Sequence, residues 1–455
     1  MNPFKRRCST CIDRRSLLKA TAATIPAVAL GAQIEGITLA QDKPVIQFWF
    51  DVTGGPETAD CMIKNITEPY GETGTAIVKA TKQPNNWDAT RTALAGGGGP
   101  DLVGTPGPSF AFELAKAGQL VALDGYAVSQ GWSDTFFPWA LSLGLVEGKL
   151  YSIPNEVETL VLYYNKTLFE ANNWTAPSTI DELMTLAQTI DDAGIIPFAH
   201  ANQEWKGANE WFVGEMFNQI AGPAAVYAAL TGTGKFTDPP FVEAVNYINT
   251  MQQNGWFMGG LDRYYTTTFS DASAAFGMGE AAMKIEGTWW IADAALFFGA
   301  DAGNDNDWDW VPVPSKDGTP KFDLGIGSTQ SININSKSPD QVAEFLTFFY
   351  SAESQATMLL DCALAPAPVT IPAEMLTGLD ARYAAILQAL NDASTSNNYG
   401  YTTWTFFPPK TEQIIIDNIE KVWAGDMTAE EYLQSIQDQF DQEFAAGDIP
   451  PIPTR

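Results

Sequence analysis

Residues 44–50 (PVIQFWF) constrain the fold more than any other segment: a nearly continuous apolar run that stops at Asp51-Val52-Thr53-Gly54-Gly55-Pro56. A run this short and apolar predicts a strand covered on both faces, as in a parallel sheet, opening at its carboxyl end into a glycine-rich loop. A helix is expected through the sixties, a strand over 75–80, and a helix over 87–95 stopped by four glycines at 96–99. A third strand is expected over 100–104. Strand, helix, strand, helix, strand implies an open α/β sheet. Ligands of such sheets bind beyond the carboxyl ends of the strands, which directs attention to Asp51, Thr53 and Thr105.

The chain of 455 residues is long enough for roughly two or three domains with full cores. Residues 159–165 (TLVLYYN) predict another strand. Thr179 and Glu182 form the pattern of a capping box, in which two side chains satisfy each other's free backbone donors, and Thr428 with Glu431 repeats it before a last helix ending near Gly447. Ser338-Pro339-Asp340-Gln341 is expected to start a helix the same way, with Val342, Phe345, Leu346 and Phe349 on its buried face. No internal repeat or low-complexity tract is present, and the proline-rich tail 449–455 reads as extended.

Lys5, Arg6, Arg7, Arg14, Arg15 and Lys19 precede an apolar stretch at 20–32, the order of an export leader. The stretch Arg14-Arg15-Ser16-Leu17-Leu18-Lys19 resembles a twin-arginine signal. Small residues at Thr38 and Ala40 suit cleavage before Gln41, so residues 1–40 are expected to be removed and the mature protein to be soluble and extracytoplasmic. The apolar stretch is too short for a permanent span. Cys8 and Cys11 fall within this leader and carry little weight as a redox or metal pair. Cys61 and Cys362 remain, and an oxidising compartment permits a disulfide between them if their Cα atoms lie within about 7 Å.

Composition narrows the chemistry. The net charge of −29 repels phosphate backbones and argues against a nucleic-acid partner. A single histidine cannot build a two-His metal site and leaves little for proton transfer. The aromatic inventory is large, with 14 Trp, 14 Tyr and 26 Phe. Thr231-Gly232-Thr233-Gly234-Lys235-Phe236 lacks the first glycine and the final hydroxyl of a phosphate loop and reads as a turn. Residues 305–309 alternate carboxylates as a calcium loop does, but Trp310 replaces the turn glycine and Lys316 the bidentate glutamate. A solvated acidic loop is favoured, with calcium the weaker reading. His200 reads as the cap of a strand end.

Five blocks together carry a family likeness: Gly99-Pro100-Asp101-Leu102-Val103; Gly148-Lys149-Leu150-Tyr151-Ser152-Ile153-Pro154; Leu162-Tyr163-Tyr164-Asn165-Lys166; the stretch from Gly279 to Trp289 (GEAAMKIEGTW); and Ser336-Lys337-Ser338 with Glu344-Phe345-Leu346. In this order and spacing the chain resembles the extracellular solute-binding proteins of family 1, the sugar receptors of ABC importers that include the maltose-binding proteins. The resemblance implies two discontinuous α/β lobes that close on a ligand between them, lobe one from 41–156 and 329–371, lobe two from 157–328 and 372–455. That topology puts Cys61 and Cys362 in one lobe, which favours the disulfide. It also implies a carbohydrate ligand, a membrane permease as partner, a monomer, no cofactor and no catalysis.

Positions aligned with family motifs imply ligand contacts at Asp51, Glu158, Glu204, Trp205, Trp289 and Trp404. Thr53, Thr105 and Trp87 are placed only by lying at strand ends or at the head of a helix. Maltose itself is not implied, because the Gly54-Gly55 loop and residues 301–309 depart from that pattern. The residue chemistry agrees with the family reading: an indole gives a flat platform for the C–H face of a sugar ring, and carboxylates accept from its hydroxyls, each such bond being worth about 1.5–3 kcal/mol. Two rivals are a binding protein for a non-sugar solute such as a polyamine, and a secreted glycoside hydrolase with Glu156 and Glu158 as its acid pair.

Overall fold

The alternation expected over residues 44–104 supplies three strands of a five-stranded sheet, and two more come from far along the chain. The computed structural model describes residues 43–50, 56–83, 86–396 and 398–453. The expected leader, with Arg14, Arg15, Cys8 and Cys11, lies outside them, as do Asp51 and Thr53. In chain order the strands are β1 (Val45–Phe50), β2 (Ile77–Lys82), β3 (Leu102–Thr105), β4 (Leu145–Val146), β5 (Lys149–Leu150), β6 (Ile153–Pro154), β7 (Val157–Glu158), β8 (Leu160–Asn165), β9 (Ile196–Phe198), β10 (Ala281–Gly287), β11 (Trp308–Val311), β12 (Phe322–Ile326), β13 (Thr329–Ile332) and β14 (Tyr399–Tyr401).

The first sheet has the order β2-β1-β3-β13-β6, with β1 parallel to β2 and β3, and β13 antiparallel to β3 and β6. Full cover of both faces of β1 was expected. Instead Ile46, Phe48 and Phe50 are buried while Gln47 and Trp49 are half-covered, because the second face opens toward a recess described below. Phe48 packs against Phe345 and Phe349 of the helix Pro339–Phe349, the buried face read from its spacing. That helix begins with Pro339 as expected, but Ser338 does not cap it: its own N–H is given to Ser336 Oγ at 3.2 Å. Thr179 and Thr428 do form complete reciprocal boxes.

The second sheet runs β11-β8-β10-β9. All seven residues of β10 are buried, including Lys284 and Glu286. Tyr163 of β8 meets Trp290 and Trp308 at 4.7 and 5.7 Å between ring centroids, which locks the sheet to the chain on either side of it. A small sheet, β14-β12-β7, and the hairpin β4-β5 complete the strands.

Two short segments carry the chain between the first sheet and the small one: 155–156 from β6 to β7, and 327–328 from β12 to β13. They run side by side. Asn155 N–H donates to Ser328 O at 2.8 Å, Gly327 N–H to Glu156 O at 3.1 Å, and Asn155 Nδ2 to Ser328 Oγ at 2.7 Å. Cys61 and Cys362 are joined by a disulfide with Cα atoms 5.7 Å apart, tying the helices Pro56–Met62 and Ala352–Cys362 beneath the first sheet. Among the described residues no helix is long and apolar enough to cross a membrane.

Candidate functional site

The carboxyl ends of β1 and β3, the start of β13 and the end of β6 share one edge of the first sheet, and the paired crossing segments leave from that edge. A recess opens there. It is lined by Phe48, Trp49 and Phe50, by Asn86 and Trp87 at the head of the helix Asn86–Ala95, and by Asn155, Glu156, Ser328 and Gln330. Trp87 packs over Gly104, where a Cβ would sit 3.4 Å from the indole, so the glycine lets the ring form a wall. A smaller recess continues past Trp87 to Arg91, Thr105, Pro106 and Phe110.

Beyond β3 the chain meets a second group of aromatics. Ser109 Oγ lies 3.0 Å from the carbonyl oxygen of Trp404 and 2.9 Å from that of Phe407. The Trp404 ring touches Trp289 at 5.9 Å, and Trp289 touches Trp211 at 5.2 Å. Trp404 is buried, whereas Trp289 and Trp211 are half-exposed. The fold therefore brings Trp289 and Trp404 together and adds Trp211, which sequence reasoning missed. Its signal was present in the block of residues that follows Trp205, but spacing alone does not separate an indole at a site from one in a core.

The other expected contacts divide. Thr105 is buried and its hydroxyl is engaged inside the protein, lying 2.9 Å from Gly107 O and 2.6 Å from Thr329 Oγ1. Glu158 is 3% exposed, in space left by Gly327, where a Cβ would collide with its carboxyl group. Burial first, then Glu156 and Glu286, hold the Glu158 carboxyl well above the usual range. Its neighbour Glu156 is the one that lines the recess. Glu204 accepts the Phe269 backbone N–H at 3.0 Å and so caps the helix Phe269–Gly277, and Trp205 stands 44% exposed on the loop before the helix Ala208–Met216.

His200 follows β9 and is enclosed by Trp211, Phe212, Phe257 and Tyr264, with burial and Lys284 holding its pKa well below the ordinary value. In the 305–309 segment, Asp307 is tied to Arg382 and Lys166, and Asp309 Oδ1 accepts the Trp310 N–H. Among the described residues no three His, Cys, Asp or Glu side chains are grouped to hold a metal ion. Gly232 makes a turn at φ 72° in the failed phosphate motif.

The geometry can be set beside known proteins. The chain is 24% identical to a probable sugar-binding periplasmic protein of Brucella suis over 436 residues, 92% of this chain and 97% of that one. It is also 24% identical over 347 residues to an uncharacterized ABC transporter extracellular-binding protein of Pyrococcus horikoshii, 69% of this chain and 68% of that one. A solved chitin oligosaccharide binding protein superposes with a TM-score of 0.74 at 20% identity, covering 89% of this chain and 100% of that one, which shows that the two share a two-lobe fold. The family model for the bacterial extracellular solute-binding proteins matches residues 55–356, more than half of the chain, and to that family the chain belongs.

Proposed function

We propose that this chain is the extracytoplasmic receptor of an ABC importer and that it binds an uncharged carbohydrate at the edge where the crossing segments leave the first sheet. The observation that carries the reading is the row of indoles Trp404, Trp289 and Trp211. Rings of this size give a sugar a rigid apolar face at low entropic cost. Glu156, Asn155 and Gln330 in the neighbouring recess supply hydrogen-bonding groups for hydroxyls. The names of a sugar-binding relative and of a chitin oligosaccharide binding neighbour support the same ligand class.

In this reading the lobes are 41–156 with 329–371 and 157–328 with 372–455. They close about the segments 155–156 and 327–328, and the closed, loaded monomer is what the permease engages. Asp51, Thr53 and Trp87 serve on the first lobe, Trp289 and Trp404 on the second, and Glu158 acts from inside the crossing. The leader delivers the protein by the twin-arginine route.

Thermal-shift screening against mono- and oligosaccharides, polyols and polyamines tests the proposal. A ligand present at a hundred times its Kd adds about 2.7 kcal/mol to stability and raises the melting temperature accordingly. A carbohydrate is expected to do so, and scattering is expected to show a smaller radius of gyration with it. A response to polyamines alone would replace the carbohydrate reading. Release of reducing sugar by the purified protein, abolished in Glu158→Gln, would replace the receptor reading with a hydrolase.

A further inference from the structure

Two carboxamides on the recess beside Trp87 differ from their neighbour. Asn155 has a partner at each end of its side chain: Nδ2 donates to Ser328 Oγ at 2.7 Å, and Oδ1 accepts the Tyr350 hydroxyl at 3.0 Å. Asn86 and Gln330 line the same recess and are 0% and 5% exposed, yet Asn86 Nδ2 and Gln330 Oε1 have no hydrogen-bond partner. The Thr90 hydroxyl lies 3.4 Å from Asn86 Oδ1, which leaves the Nδ2 end for another group. Gln330 pairs with Gly104 in the ladder of β13 and β3, and a Cβ on that glycine would stand 3.6 Å from Gln330 Oε1 and 3.4 Å from the Trp87 ring. Both side chains therefore use the space the glycine leaves. A buried polar atom without a partner is destabilising, and a donor and an acceptor left open on one recess point to a group that arrives with the ligand.

Chemistry and size name that group. Asn86 Nδ2 needs a lone pair, and an ammonium, which the Glu156 carboxyl would otherwise suit, has none. Gln330 Oε1 needs a donor, which a carboxylate lacks. A hydroxyl supplies both; an acetamido group does too but is bulkier. The room inside the recess is about 30 Å³, against about 150 Å³ for a cavity that accepts a six-membered ring. A pyranose must stay at the mouth, and only a short arm can enter between Phe48, Met62, Phe349 and Met358. We propose that Asn86 and Gln330 form a subsite for the exocyclic hydroxymethyl group of a hexose, Asn86 donating to the hydroxyl oxygen and the hydroxyl donating to Gln330. This rests on the carbohydrate reading above and narrows it to sugars that carry this arm, hexoses in preference to pentoses.

The test compares sugars that differ only at that arm. Calorimetric titration of the purified protein sets D-glucose against D-xylose and 6-deoxy-D-glucose, D-galactose against L-arabinose and D-fucose, and cellobiose against xylobiose. In whichever series binds, the member with the hydroxymethyl group is expected to bind at least about tenfold more tightly, because the analogue leaves the two amides unpaired. Equal affinities within the series overturn the proposal. Asn86→Leu and Gln330→Met are expected to abolish the preference and to leave the melting temperature unchanged or raised, since each removes an unpartnered buried atom. A lowered melting temperature with the preference intact shows a structural role and overturns the proposal. A crystal of the wild-type protein soaked in ethylene glycol decides the subsite without a sugar and without variants. A glycol hydroxyl is expected between Asn86 Nδ2 and Gln330 Oε1; ordered water alone there, or either atom bonded within the protein, overturns the proposal. If no sugar binds the wild-type protein, the carbohydrate reading fails while the soaked crystal still decides the subsite.

Discussion

Trp289 and Trp404 meet edge to face, their ring centroids 5.9 Å apart and their planes at 75°. The contact divides the two residues by role: Trp404 is 6% exposed, and Trp289 keeps an open face. Trp289→Ala is therefore expected to weaken carbohydrate binding by about ten- to a hundredfold while changing stability little. Trp404→Ala is expected to cost about 3–5 kcal/mol of stability as well, because it empties a buried site. Calorimetric titration and denaturant unfolding on the two variants check this. Full affinity in Trp289→Ala would remove it from the site.

Buried acids set the pH behaviour. Glu210 faces Glu412, and Glu215 faces Asp323 of β12, all four fully buried. Burial pushes Glu210 up to about 8 and Glu215 up to about 7, and it raises Glu412 and Asp323 as well, with help from their neighbouring acids. In the unfolded chain the glutamates ionise near 4.5 and Asp323 near 3.8. Between that pH and the raised folded values the native state holds more protons than the unfolded state. Stability from these groups is therefore complete below the ordinary range and lost as pH rises through 7 to 8, at roughly 1 kcal/mol per pH unit for each proton retained. The melting temperature is expected to fall from pH 5 to pH 8. Glu210→Gln and Glu412→Gln should flatten that slope, since an amide has no proton to lose. Stability that climbs over this range would contradict the assignment.

Reduction of the Cys61–Cys362 bond is expected to destabilise the protein. The two cysteines are separated by 301 residues, so the cross-link removes a large share of the unfolded chain's freedom. Its loss should cost about 2–5 kcal/mol. Unfolding of the Cys61→Ser, Cys362→Ser double variant against the oxidised wild-type protein measures this. Equal denaturation midpoints would show that the bond contributes nothing.

The legible parts of this fold were the local ones. The alternation from β1 to β3 and the capping boxes at Thr179 and Thr428 depend on neighbours within a few residues, while Ser338 makes no side-chain cap and gives its backbone N–H to Ser336. The pairing of 155–156 with 327–328 joins distant parts of the chain and leaves no local pattern. The same holds for the site. Trp289 stood in a recognisable block, but the buried ion pair of Lys284 with Glu286 depends on β10 being covered on both faces, and the contact of Trp211 with Trp289 depends on the packing of the helix Ala208–Met216. Charges on a strand read as solvent-facing until the tertiary structure buries them.

Trp404 is held from behind by the loop after β3, and that support can be removed in two ways. Ser109 shares its hydroxyl proton between the carbonyl oxygens of Trp404 and Phe407. Ser109→Ala leaves those buried acceptors without it, an expected cost of about 1–3 kcal/mol. Gly107 has φ 144°, and a Cβ there would stand 2.6 Å from Trp404 O. Gly107→Ala therefore adds backbone strain to a collision with a carbonyl that has no room to retreat. Hydrogen exchange over 403–407 should accelerate modestly in the serine variant and strongly in the glycine variant. Carbohydrate affinity should fall in the same order, because the indole of Trp404 supports Trp289. Exchange that is unchanged in Gly107→Ala would mean that the loop after β3 does not hold Trp404 in place.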